Sequence, residues 1–448
     1  MTDALHRLGA ALAAAREALP LVRIGGPIQE VTASAARVAG VAPFMTLGDR
    51  MGFVGGGREQ IGEVVRVDAA GVTVKPFDSR IEAGIGTRAY RLGDPTLRPD
   101  PSWKGRVIDA LGRPIDGLGA LVPGQRAVPL DAAPPAAMER ARVTKPLRTG
   151  VRALDLFTPL CLGQRIGIFA GSGVGKSTLL AMLAAATGFD SVVVALVGER
   201  GREVREFLEG AMAPNLARAV VVVSTGDESP MMRRQAPKMA MAIAESFRDA
   251  GESVLLIVDS VTRYAHAARD VALAAGEPAV ARGYPPSVFS DLPRLLERAG
   301  PGLDGTGTGP HGGGTITGVF SVLVDGDDHN DPVADSIRGT LDGHVVLDRA
   351  IAEQGRYPAV HLLGSISRLA TEVWTPEQRE LVRRLKAMMA RFEETRDLRL
   401  MGGYRAGEDA ELDQAILLVP RIYEALRQEP GMAASRDAFL ELAQSLRT

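Results

Sequence analysis

The sequence contains a single cysteine, Cys161, so no disulfide can form within the chain. No uninterrupted apolar stretch approaches the roughly 18 residues that a membrane-spanning helix needs, although 46% of the residues are hydrophobic. Neither sign of charge dominates, because 52 Lys and Arg residues face 54 Asp and Glu residues and leave a net charge of −2. That balance gives no overall attraction to nucleic acid or to an anionic membrane. We therefore expect a globular protein without a nucleic-acid partner.

The 448 residues are too many for one compact core and indicate several domains. Residues 1–20 are predicted to form an amphipathic helix, and residues 21–95 contain short β-rich runs between Gly, Asp and Pro turns, which are typical of a small β-barrel. Across 96–370, strand-like runs alternate with helical segments, which predicts an α/β domain with a mostly parallel sheet. Residues 371–448 have helical composition, interrupted by "MGGYRAG".

The first 20 residues carry a leucine stripe at three- and four-residue steps. Charged side chains such as Arg7, Arg16 and Glu17 interrupt it, unlike the apolar core of a signal peptide, so we expect a cytoplasmic protein. The stripe is compatible with two roles: a cap on the barrel, or a surface that binds a helical partner.

The segment "AGSGVGKST", residues 170–178, lies between a strand-like run and a helix-like run. Its glycines let backbone N–H groups surround an anion at the start of a helix, where a lysine reaches the terminal phosphates and a hydroxyl ligates Mg²⁺. Ala170 stands where the strict motif has glycine, but that position lies at the strand end. The segment predicts a nucleoside triphosphate site made by Gly171, Ser172, Gly173, Val174, Gly175, Lys176, Ser177 and Thr178.

Two further strand ends supply carboxylates. Asp259 closes the apolar run "LLIVD", where an aspartate is placed to hold the hydration shell of Mg²⁺. Glu199 ends "VALVGE" and is placed to polarise an attacking water. An alternative for Glu199 is that it belongs to a solvated charge cluster at the start of a helix, and spacing alone does not decide between the two.

Six segments together resemble the ATPases of flagellar and type III protein export, which are relatives of the rotary ATP synthase headpiece. The resemblance extends from about residue 22 to residue 425 and rests on "GERGREVREF", "TGDESPMMRRQAP", "VDSVTRYAHAARDVALAAGEP", "ARGYPPSVFSDLPRLLERAG", "DDHNDPVADSIRGTLDGHVVLDR" and "GRYPAVHLLGSISR". It implies a β-barrel, a RecA-like P-loop ATPase core and a helical C-terminal domain in a hexameric ring. The N-terminal helix and "RDLRLMGGY" favour the flagellar branch.

The resemblance also implies roles for individual residues. Tyr357 resembles the aromatic residue that packs on adenine, with a buried core tyrosine as the alternative. Arg368 resembles an arginine finger that reaches a neighbouring subunit, with an internal salt bridge as the alternative. The remaining roles are the phosphate lysine for Lys176, magnesium ligation for Ser177 and Asp259, the catalytic carboxylate for Glu199, and contacts near the phosphates for Arg200 and Arg263.

One sequence carries both the catalytic carboxylate and the finger, which rotary synthases divide between alternating chains. We therefore expect a homohexamer in which each protomer completes its neighbour's site. The family further implies partners in the export apparatus, namely a regulator, stalk-like coiled-coil proteins, the export gate, substrates and chaperones. It also implies a location at the inner membrane near the flagellar export gate, with peripheral membrane association.

The alternatives to flagellar export are an injectisome secretion ATPase, a rotary ATPase catalytic subunit and a Rho-type RNA translocase. The finger and carboxylate on one chain disfavour the rotary subunit. The acidic balance and the lack of interleaved basic and aromatic residues disfavour RNA. We assign no chemistry to the glycine-rich segment 300–318 around His311, and no metal to His266, His344 or His361.

Overall fold

The structure is a computed structural model that describes residues 22–302, 313–324, 331–429 and 432–447, together with Leu5 and Gly9. Apart from those two residues, the predicted N-terminal helix lies outside the described residues, as does the centre of the glycine-rich segment with His311. No described helix is both long enough and apolar enough to cross a membrane.

A first compact unit contains the N-terminal strands up to Pro95, together with Ser229–Met231 and Val271–Glu277. Six strands close into an antiparallel barrel in the order β1-β2-β5-β4-β3-β6, and their inward side chains form a separate apolar core. The strands are β1 (Gly25–Val31), β2 (Ala36–Val38), β3 (Arg50–Gly55), β4 (Arg58–Asp68), β5 (Gly71–Pro76) and β6 (Arg88–Gly93).

The second unit is built on a nine-stranded sheet in the order β19-β18-β12-β17-β15-β13-β14-β8, with β16 paired to β17. Its central strands are parallel, and only β16 and β19 pair antiparallel. Its strands are β8 (Val107–Asp109), β12 (Arg165–Ala170), β13 (Ser191–Glu199), β14 (Ala219–Thr225), β15 (Ser253–Asp259), β16 (Gly300–Pro301), β17 (Thr315–Leu323), β18 (Gly343–Leu347) and β19 (Ile366–Ser367). Short pairs elsewhere in this unit are β7 (Thr96–Leu97) with β9 (Val128–Pro129), and β10 (Pro146–Leu147) with β11 (Leu160–Cys161).

Helices follow the strands of the parallel sheet, as expected when each crossover must return the chain to the same end of the sheet. The helices up to residue 373 are α1 (Arg152–Phe157), α2 (Lys176–Ala184), α3 (Gly201–Glu206), α4 (Pro230–Asp249), α5 (Val261–Ala274), α6 (Pro286–Leu296), α7 (Pro332–Thr340), α8 (Arg349–Glu353) and α9 (Ala370–Val373). Short 3-10 turns occupy Ala42–Phe44, Pro101–Trp103 and Ala213–Arg218, and a π-helical turn occupies Phe207–Ala211.

The chain ends in α10 (Pro376–Glu394), α11 (Arg396–Leu400), α12 (Ala410–Leu426) and α13 (Ala438–Arg447). Thr375 caps α10 in a reciprocal capping box with Gln378, which satisfies two backbone N–H groups at the helix start. Buried apolar side chains of α10, α12 and α13 belong to the same core as the parallel sheet. The predicted architecture of barrel, mostly parallel sheet and C-terminal helices is confirmed, whereas the exact boundaries at residues 20, 95 and 370 stay predictions.

Candidate functional site

The candidate site lies at the carboxyl ends of three strands of the parallel sheet. β12 runs into the glycine-rich loop, β13 ends in Glu199 and β15 ends in Asp259. β17 lies between β12 and β15 and pairs with both in parallel. Because parallel strands end at the same edge, residues far apart in sequence meet there, which is the usual place for a ligand in such sheets.

The loop between β12 and α2 has the backbone of an anion cradle. Gly173 and Gly175 have φ angles of +78° and +89°, a region that residues with a Cβ rarely adopt. Helix α2 begins at Lys176, immediately after Gly175. The first N–H groups of a helix have no partner within it and attract negative charge, so the loop and the helix start together have a geometry that suits a phosphate group.

Lys176 lies between two carboxylates. Its ammonium donates to Asp259 Oδ1 and lies 3.6 Å from Glu199 Oε1. The hydroxyl of Ser321, on β17, donates to the same Asp259 oxygen over 2.6 Å. The structure therefore brings Lys176, Glu199 and Asp259 together as the sequence predicts.

Glu199 also pairs with Arg263, whose Nη1 lies 2.8 Å from Glu199 Oε2 and donates to the Gly198 carbonyl. Burial raises the pKa of the Glu199 carboxyl above its ordinary value. Lys176 opposes that shift, and the nearby Asp259 carboxylate adds to it. A carboxyl whose pKa is raised by burial beside charged partners is typical of a catalytic acid or base.

Tyr357 lies against the phosphate loop. A Cβ placed on Gly175 would come within 3.4 Å of its ring, and the side chain is 36% exposed, unlike a core tyrosine. Next to it is a cavity of about 250 Å³ lined by residues of α8, the following loop and the C-terminal helices, among them Arg356, Tyr357, Leu426 and Arg427. Arg356 stacks over the Tyr423 ring at 4.0 Å on the same wall. The cavity has the position and lining to accept a planar base.

Two predicted arginines lie outside this cluster. Arg200 is carried outward at the start of α3, where its side chain is 73% exposed and pairs with Glu203 over 3.3 Å. Arg368 follows β19 and is exposed, and among the described residues its guanidinium has neither a hydrogen bond nor an ion pair. The internal salt bridge considered for Arg368 is therefore absent from the described part of the chain.

Two residues of the site are not apparent in the sequence. Ser321 lies inside the apolar run of β17, where nothing marks it as the partner of Asp259. Arg349 begins α8 and donates to the Ser172 carbonyl over 3.3 Å, which adds a cation beside the phosphate loop. Both become visible only when distant strands and helices are placed together.

The residues proposed to hold magnesium offer suitable donors. Ser177 has an exposed hydroxyl in the first turn of α2, and Asp259 has a carboxylate at the end of β15. Such oxygen donors fit Mg²⁺, which commonly binds one or two carboxylates together with water and substrate phosphates. Within the described ranges, no group of three or more His, Cys, Asp or Glu side chains is arranged to hold a metal ion by itself.

Comparison with known proteins gives two family matches. The model of the ATP synthase alpha/beta family, nucleotide-binding domain, matches residues 150–367, and that of the T3SS EscN ATPase C-terminal domain matches residues 374–444.

Similar proteins cover almost the whole chain. A flagellum-specific ATP synthase of Rhizobium meliloti is 57% identical over 94% of this chain and 89% of its own length. A type 3 secretion system ATPase of Xanthomonas euvesicatoria is 42% identical over 94% of this chain and 93% of its own. The structure of the assembled ATPase EscN from enteropathogenic E. coli superposes with a TM-score of 0.85 at 38% identity, covering 94% of this chain and all of that one.

Proposed function

The chain belongs to the family of flagellum-specific and type III secretion ATPases, and from this premise we propose that it hydrolyses MgATP as a homohexameric ring that promotes export of flagellar proteins. It is an ATPase of the flagellar export type. The observation that carries the proposal is the cluster of Lys176, Glu199 and Asp259 beside the phosphate loop. Positioned charges of this kind are the main catalytic resource in phosphoryl transfer.

The phosphates bind in the loop before α2, with Lys176 transferred from the carboxylates to the terminal phosphate. Ser177 and Asp259 would hold Mg²⁺, which would neutralise phosphate charge when bound. Ser321 keeps the Asp259 carboxylate oriented through its 2.6 Å hydrogen bond. The adenine packs on Tyr357 in the neighbouring cavity, with Arg356 on its wall.

Glu199 orients the attacking water in line with the γ-phosphate. Its placement at the end of β13 and its pairing with Arg263 fix the carboxylate at the edge of the site. The raised pKa makes Glu199 a better proton acceptor than an exposed glutamate. Arg263 thus positions Glu199, and Arg200 adds a cation at the rim rather than in the cluster.

Arg368 completes the site of the next protomer in the ring. Its exposed guanidinium, at the end of the sheet opposite the phosphate loop, supports a role across an interface. A head-to-tail ring joins opposite faces of identical chains, so a finger and a loop at opposite ends of one sheet suit that geometry. An arginine finger accelerates turnover by roughly 10³ to 10⁵.

The flagellar branch is favoured over the injectisome branch by 57% identity to a flagellar relative against 42% to a secretion-system relative. The match of residues 374–444 to the type III C-terminal domain favours export over a rotary subunit or an RNA translocase. Because the structure of EscN is also known with its central stalk EscO, a stalk-like coiled-coil protein is a proposed partner. We further propose that the protein works in the cytoplasm at the inner membrane, where it contacts the export gate, a regulator, substrates and chaperones.

A mixing experiment tests the shared site. Lys176→Ala protomers keep the Arg368 finger but lose the lysine of the phosphate loop. Arg368→Ala protomers keep an intact phosphate loop but lose the finger. Each variant alone is expected to be nearly inactive, and mixed rings should recover part of the ATPase activity because some interfaces combine both intact halves. An inactive mixture, despite mixed rings detected by native mass spectrometry, would refute the shared site.

A further inference from the structure

The arginine finger, Arg368, and the phosphate loop lie near opposite ends of strand β12. The loop follows the carboxyl end of β12, whereas Arg368 follows β19, whose Ser367 pairs with Gly343 at the start of β18. β18 runs parallel to β12, with His344 opposite Gly167. Arg368 therefore lies near the amino end of the strand that carries its own protomer's loop.

Gln164, immediately before β12, joins the finger segment to that strand. The side chain is fully buried, and its Nε2 donates to Ser367 Oγ over 3.1 Å and to the Asp342 carbonyl over 3.2 Å. The same Asp342 carbonyl accepts the backbone N–H of Arg368 at 2.9 Å. One amide thus holds both the residue before the finger and the carbonyl that anchors the finger.

Neighbouring bonds keep Gln164 and Asp342 in place. Gln164 Oε1 accepts the Cys161 N–H over 2.9 Å. Arg165 grips the Asp342 carboxylate through Nε and Nη2 at 3.1 and 3.2 Å, and its backbone N–H donates to the same group. Removing this buried amide would lower stability, because each donor or acceptor that loses its hydrogen bond stays buried and cannot bond to water instead.

We propose that Gln164 is a positioning residue for Arg368 and acts on the nucleotide site of the adjacent protomer rather than on its own. This inference rests on the proposed role of Arg368 as an intersubunit finger. The exposed guanidinium has no side-chain partner among the described residues, so its approach to a neighbour is set by the backbone that Gln164 and Asp342 hold. Misplacing a catalytic group by about 1 Å can cost about 100-fold in rate.

Gln164→Leu tests the proposal, because it puts an apolar side chain in place of the amide and removes both donated bonds and the bond accepted from Cys161. The expected result is a fall in kcat of about 100-fold with little change in KM for ATP, since the protomer's own loop is intact. Gln60→Leu is the matched control. Gln60 is also fully buried and also bonds two backbone groups, at Arg80 and Glu82, but it lies in the barrel.

Mixed rings distinguish a finger defect from a general one. Gln164→Leu protomers should regain activity when mixed with Lys176→Ala protomers, which supply sound fingers, and not when mixed with Arg368→Ala protomers. Rescue by Arg368→Ala, or no rescue by either in rings that assemble, would overturn the proposal. The Lys176→Ala and Arg368→Ala mixture serves as the reference, and its failure would refute the shared site itself and with it this inference.

Ser367→Ala covers the case in which Gln164→Leu does not fold. It deletes only the hydroxyl that accepts from Gln164 and leaves the Asp342 bond. We expect a fall in kcat of about tenfold, since one of the two bonds remains, with the same pattern of rescue. Parent turnover in Ser367→Ala would overturn the proposal.

Discussion

Replacing Arg298 with methionine should destabilise the second unit far more than an equivalent change at the surface. Arg298 forms a bidentate pair with Glu245, at 2.9 Å from Nε and 2.7 Å from Nη2, and Nη1 donates to the Leu130 carbonyl at 2.9 Å. The two side chains are only 1% and 9% exposed. Methionine fills much of the same space but leaves the Glu245 carboxylate buried without its partner.

The expected loss is about 3–5 kcal/mol in the free energy of unfolding, which is typical when one member of a buried ion pair is removed. Arg383 provides a control of the same geometry, because it contacts Glu380 through two 2.8 Å bonds but is 69% exposed. Exposed pairs contribute about 0–1 kcal/mol, and Arg384 also remains bonded to Glu380. Arg383→Met should therefore stay within about 1 kcal/mol of the parent.

Urea unfolding followed by tryptophan fluorescence measures the difference. Both tryptophans of the chain, Trp103 and Trp374, belong to the second unit, so the signal reports on the unit that holds the pair. The double variant Arg298→Met with Glu245→Met should recover most of the loss, because an apolar replacement of a buried pair is often neutral. Equal transition midpoints for Arg298→Met and Arg383→Met would refute the reasoning.

Three further predictions concern the site and the cysteine. Lys176→Ala should remove most of the ATP affinity, measured by calorimetry, because no other residue of the cluster supplies an ammonium to the phosphates; parent affinity would contradict the assignment. Glu199→Gln should abolish turnover yet raise the melting temperature of the nucleotide-free protein at pH 8. The pKa of Glu199 in the folded protein lies above the ordinary 4.5, so the ionised carboxyl lowers the stability of the fold once the pH exceeds that pKa. The gain should disappear as the pH falls towards 4.5, and a gain independent of pH would exclude this cause. Cys161, fully buried and with a pKa raised to about 11 mainly by burial, should resist an aromatic disulfide reagent until guanidinium unfolds the chain; rapid native labelling would contradict its burial.

The sequence predicts the central strands well because their signals are local. In the sequence, "RIGIFA" and "SVLLIVD" are strand-like apolar runs bounded by polar or glycine residues, and they coincide with β12 and β15 residue for residue. No strand-like run in the sequence predicts β8 or β18. Each strand is short and lies near an edge of the sheet, where its pairing depends on strands remote in sequence.

The predicted site residues also differ in whether adjacent residues or contacts remote in sequence determine their positions. Lys176 and Asp259 occupy motif positions whose backbone environment is fixed by adjacent residues, and the structure brings them into contact. Arg200 is the immediate neighbour of Glu199 in sequence, yet the start of α3 turns it towards solvent. Ser321 and Gln164 gain their roles from contacts across strands, which no local pattern encodes.

The pairing of Lys176 with Glu199 and Asp259 has a consequence for turnover. With Arg263 included, two cations face two carboxylates, so the cluster is electrically balanced before any nucleotide arrives. In the proposed mechanism, phosphates that pair with Lys176 must displace these two carboxylates, which pair with the ammonium again when the product leaves. We therefore expect the two carboxylates to compete with phosphate for Lys176, which would lower nucleotide affinity.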